Sequence, residues 1–99
     1  MRMMLMMHMD TAAGTKAIQE GRMPAQMQSA MEKLKPEAAY FGPHNGQRTA
    51  FIIFDMDDPS QLPALTESFF SDLNAHVEIF PVMDRADLER GLSQLGSRD

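Results

Sequence analysis

Two stretches of this 99-residue chain are apolar at almost every position: residues 3–9, "MMLMMHM", interrupted only by His8, and residues 50–54, "AFIIF". Short apolar runs bounded by turn-forming residues fit strands that are buried on both faces. Side chains on a strand alternate between faces, so Met4 and Met6 point one way and Met3, Leu5 and Met7 the other. An antiparallel strand with one wet face would alternate apolar and polar residues, and these two do not. Both of their faces must therefore be covered, and few small folds can do that.

The rest of the chain supplies the other elements. Residues 15–34 take helical spacing, and Gly21 and Pro24 divide them into a short turn over 15–20 and a helix over 24–34. Met23, Met27, Ala30, Met31 and Leu34 make the apolar stripe of that helix. Pro24 is tolerated in a first turn, and Pro36 stops the helix because the residue before proline leaves the α region. Residues 37–41 predict a second strand. Asn45-Gly46, both tolerant of positive φ, predict a tight hairpin turn into a third strand over 48–56. "DDPSQLP" predicts a helix start with Ser60 as N-cap and Pro63 in the first turn. Its buried stripe is Leu62, Leu65, Phe69 and Leu73, and Asn74 closes it in the left-handed conformation. Residues 76–83 predict a last strand, confined to a sheet edge because Pro81 cannot donate to a ladder. Asp84 then caps a short final helix carrying Leu88, Leu92 and Leu95.

This order, β-α-β-β-α-β plus a short C-terminal helix, predicts one α+β domain over residues 1–99 on the ferredoxin-like plan. Its antiparallel sheet runs 4-1-3-2, with the two doubly apolar strands in the centre. Two helices cover one face only. The simplest cover for the other is a second copy around a two-fold axis, so the expected partner is a homodimer through the helix-free sheet face. Flexible thioethers suit such a seam because they fill irregular gaps.

Composition narrows the function classes. The formal net charge is -5, with Lys16, Arg22, Lys33 and Lys35 scattered among acids and amides, which argues against a nucleic-acid partner. No apolar stretch approaches the roughly 18 residues that span a membrane, so no membrane partner is expected. The opening "MRMMLMMHMD" is not read as an export signal, because its apolar run of about seven residues is too short. It is not read as a soft-metal trap either, since consecutive methionines diverge along a strand and cannot converge on one ion. There is no cysteine, which removes disulfides and thiolate chemistry and fits a cytoplasmic location. "DMDD" lacks the spaced glycine and distal glutamate of a calcium loop and reads as a turn. No metal and no cofactor are expected.

"KPEAAYF" (35–41), "RTAFIIFDMDDPSQLP" (48–63) and "VEIFPVMDRADLERGL" (77–92) resemble a group of small, uncharacterised bacterial proteins, similar in turn to the dimeric α/β-barrel superfamily. The resemblance implies two four-stranded sheets packed face to face. That superfamily includes small isomerases, cofactor-free monooxygenases and haem enzymes, so the resemblance alone selects no reaction.

Several polar residues are candidates for chemistry. The first and third strands are expected to run parallel as neighbours, so His8 and Asp55 share one end of the sheet, and His76, at the start of a fourth strand antiparallel to the first, joins them there. Such a set suits proton transfer, or else a metal. Glu78 alternates with Val77 and Ile79 and reads as an outward charge, or as a buried base if it points inward. Tyr40 and Arg48, on the hairpin, are candidate ligand-binding residues, while His44 in the turn reads as solvated. The expected function is binding of a small apolar or aromatic molecule, or service as an interaction module. The alternative is a cofactor-independent isomerase or monooxygenase acting inside the barrel.

Overall fold

The structure, a computed structural model, describes residues 1–96. Its elements in order are β1 (Arg2–His8), α1 (Thr11–Gln19), α2 (Met23–Leu34), β2 (Ala38–His44), β3 (Gln47–Asp55), a 3-10 turn (Pro59–Gln61), α3 (Leu62–Leu73), β4 (His76–Pro81) and α4 (Arg85–Gly96). The four strands form one sheet in the order β2-β3-β1-β4, and every neighbouring pair is antiparallel. Counted from the β4 edge the order is 4-1-3-2. The protein is a small α+β fold, and no helix among the described residues is long and apolar enough to cross a membrane.

Local chemistry explains where the elements begin and end. Asp10 accepts a hydrogen bond from the Ala13 backbone N–H at 3.0 Å and caps α1, which extends well beyond the short turn expected over 15–20. Gly14, which looked like a turn signal, sits inside α1 for a packing reason. A Cβ there would strike the Met9 thioether and lie 3.0 Å from its Cγ. Lys35 and Asn74 close α2 and α3 with φ of 47° and 46°. Asn45 and Gly46 both have positive φ, the pair of signs a type I′ hairpin turn needs. Ahead of α3 the capping differs from expectation: Asp58, not Ser60, is the cap, accepting from Ser60 N–H at 2.8 Å. Gln61 reaches back to the N–H of Asp58 at 3.2 Å. The accepted bond from Ser60 holds the Asp58 carboxyl below the usual carboxylate range.

One face of the sheet meets the helices. Leu5, Met7, Ile52 and Phe54 are at most 1% exposed and pack with Ala17, Leu34, Phe69 and Leu73 from the helical layer. Burying such a side chain is worth about 1.5–3 kcal/mol, so this face supplies the bulk of the folding drive. Among the described residues no helix covers the other face. Met4, Met6, Phe51 and Ile53 on the two central strands are half-buried there by their neighbours alone.

The antiparallel pairing of β1 with β3 overturns the expected parallel one. β3 is joined to β2 by a tight turn and so runs against it. The helical crossover leaves β2 parallel to β1, which makes β3 run against both.

Candidate functional site

Cross-strand pairs share a face, so the register can be read as rows across the helix-free side. One row is Ala38, Ile53, Met4 and Phe80, and the next is Tyr40, Phe51, Met6 and Glu78. Beyond them come Gly42, Thr49, His8 and His76, with His44 opposite Gln47 closing the sheet at that end. The opposite end carries Arg2 and Asp55. The bare face is thus an apolar band bordered by histidines on one side and by the charged residues Arg2 and Asp55 on the other.

The histidine border is the most unusual chemistry in the molecule. His8 is only 5% exposed although it lies on the uncovered face, because the rings of His44 from β2 and His76 from β4 lie against it. Its Nε2 is 3.0 Å from His44 Nδ1. The His8 and His44 ring centres are 5.3 Å apart, those of His8 and His76 are 5.9 Å apart, and Phe51 meets His44 edge-on. His8 Nδ1 is buried and has no hydrogen-bond partner among the described residues. The two tautomers leave it in different states. If His8 donates to His44, Nδ1 is a bare lone pair; if His44 donates, Nδ1 carries an N–H that meets nothing. A buried polar atom left unpaired by protein costs about 1–3 kcal/mol.

The other anticipated residues scatter. Asp55 pairs with Arg2 in register at the end of the sheet away from His8 and His76, so the expected His8–Asp55–His76 set does not form. Instead Asp55 accepts from the Met1 amino group at 2.6 Å, which holds its carboxyl below the ordinary range. Glu78 stands on the helix-free face beside Met6, exposed, 3.8 Å from His76 Nε2. Tyr40 is also on that face, 69% exposed. Arg48 has the opposite parity. Its guanidinium donates to Thr11 O at 3.3 Å and to Thr15 Oγ1 at 3.2 Å, so it ties β3 to α1 and cannot share a ligand with Tyr40. Among the described residues no three His, Cys, Asp or Glu side chains converge to hold a metal ion.

Two further surfaces matter. On the helical side, a largely apolar groove of about 490 Å³ opens between α1, α2 and β2, with Ile18, Met23, Met27 and Phe41 in its walls. At the end of the sheet away from the histidines, Arg2 pairs with Glu37 at 2.9 Å, Asp84 at 3.2 Å and Asp87 at 3.4 Å. The hydrogen bond to Glu37 and its charge raise the Arg2 pKa further above its ordinary value. This clamp anchors the root of α4.

His44 is the residue that sequence reasoning missed. Its signal was present: a two-residue turn at Asn45-Gly46 fixes His44 opposite Gln47 and gives it the parity of Tyr40. The fold and site define a class, a small α+β protein with helices on one sheet face and a histidine-bordered apolar band on the other. Residues 1–96 match the model of a family described as a domain of unknown function, DUF3303, and the chain belongs to that family. No curated protein matches the chain.

Proposed function

We propose that the protein is a ferredoxin-like homodimer that pairs its helix-free sheet faces into an α/β barrel and binds a small apolar or aromatic molecule between them. One observation carries this reading: an apolar band that none of the described residues covers, bordered by the clustered rings of His8, His44 and His76. A bare sheet face rich in Met, Phe and Ile is costly in water, and an identical face is complementary to it under two-fold symmetry. In that arrangement Met4, Met6, Phe51 and Tyr40 line the space between sheets. The histidines then border the same interior, where the exposed rings of His44 and His76 are the polar groups a ligand can reach. A few convergent polar groups in an apolar enclosure are the usual make-up of a small-molecule site.

Thermal-shift screening with small aromatic acids and quinones tests this reading. A bound ligand stabilises by mass action, about 2.7 kcal/mol at a hundredfold excess over Kd. The expected result is a rise in Tm for at least one such compound, lost in Met6→Lys. No shift across the panel counts against binding.

A second reading has one specific observation in its favour. The His8–His44 contact at 3.0 Å allows one imidazole to take a proton from a carbon acid while the other holds its ring in place. Returning that proton to another carbon of the same molecule is an isomerisation that needs no cofactor. Turnover of an enolisable aromatic compound, abolished in His8→Ala and retained in Glu78→Gln, is the result this reading predicts.

A further inference from the structure

We infer that α4 is an exchanged arm: the helix of each copy lies in the apolar groove between α1, α2 and β2 of the other. This rests on the sheet-face dimer proposed above and adds the second contact that dimer makes.

None of the residues of α4 is buried, and Leu88, Leu92 and Leu95 are 44%, 55% and 59% exposed. Their spacing places them with Gly91 on one side of the helix. Outside its own stretch of helix, Gly91 has no described atom within 4 Å of where a Cβ would sit, so no packing neighbour there demands a glycine. Glycine inside a helix is unfavourable relative to alanine, but it lets another surface approach the backbone closely. A helix of 12 residues is near the lower limit of what persists alone in water, so this stripe needs a partner.

The root of the helix is not slack. Asp84 accepts the Asp87 N–H at 2.8 Å, Asp87 accepts the Asp84 N–H at 3.1 Å, and Arg2 pairs with both carboxylates. The arm is held away from the body, which gives the molecule a long axis of 60 Å against 28 and 17 Å.

The occupant is a second copy for three reasons. First, Phe80, Met83 and Leu88 line one hollow, so the apolar surface continues from the helix-free sheet face onto the arm. A copy seated on that face meets the arm at its root. Second, the sheet face alone offers sixteen register positions, against about 20–30 residues a side in a stable interface. Arm and groove make up the difference. Third, the chain also carries the complement, a groove with Ile18 and Phe41 50% and 59% exposed. Leucines at i, i+4 and i+7 are the anchors a helix presents to such a groove. A reciprocal exchange fills both grooves and covers both arms, and the assembly closes at two copies.

The test uses the full chain, which has no cysteine of its own. Sedimentation velocity compares the wild type with Leu88→Asp/Leu92→Asp. A separate Met27→Cys/Leu92→Cys variant is oxidised and run without reductant. The expected results are a dimer whose Kd weakens by about tenfold or more on losing the two leucines, and a disulfide-linked dimer from the cysteine pair. A wild-type dimer of unchanged affinity in the leucine variant overturns the arm and leaves the sheet-face dimer standing. A cysteine pair that closes within one chain, or does not close, also overturns it. A monomeric wild type removes both proposals.

Discussion

Position 8 sets a cost to folding against the chemistry that the proposed site would use. His8 occupies the central strand, is almost fully buried, and offers only one of its two ring nitrogens a partner. Replacing it by leucine, of similar size, removes the unpaired atom. His8→Leu is therefore expected to hold or raise stability by about 1 kcal/mol in urea unfolding, while abolishing any ligand-induced Tm shift. A loss of stability instead would make His8 a structural residue. Gly14 gives the opposite case. Helix propensity favours alanine there by about 1 kcal/mol, but the added methyl runs into Met9 and the Arg48 guanidinium. Gly14→Ala should destabilise by about 1–3 kcal/mol, since the core that it invades is closely packed.

At the level of elements, α4 depends on electrostatics at its root. Asp84 sits below the ordinary carboxylate range, chiefly because it accepts the Asp87 N–H and secondarily because Arg2 is near. A carboxylate with a lowered folded-state pKa contributes stability above its unfolded pKa, and that contribution disappears as pH falls through the folded value. Helical circular dichroism should therefore decline on acidification from about pH 5 to about pH 3, and Asp84→Asn should flatten that decline. An acid limb unchanged in Asp84→Asn would show that the cap is unimportant. The same elements show what a sequence discloses. The doubly apolar runs, the Asn45-Gly46 turn and the edge proline of β4 sufficed to order the sheet, because each acts through its immediate neighbours. α1 escaped because Gly14 signals a turn unless the approach of Met9 is known. Asp55 was assigned to the wrong end because strand direction depends on the whole crossover, and the error carried straight into the expected site. His44 was legible only after the hairpin register had been worked out.

For the whole molecule, the radius of gyration of 16.2 Å exceeds the about 13 Å of a compact domain this long. The excess comes from α4, and with the bare sheet face it presents two apolar surfaces that the described residues leave uncovered. Core substitutions on the helical side should behave as they do in any small domain: Phe54→Ala should cost about 3–5 kcal/mol. Substitutions on the other face should act through association instead, so Met6→Lys is expected to leave the protomer folded and prevent pairing. Sedimentation equilibrium of the wild type and Met6→Lys at micromolar concentration decides the matter. The account predicts a wild-type dimer and a folded Met6→Lys monomer; a wild type that stays monomeric and fully folded contradicts it.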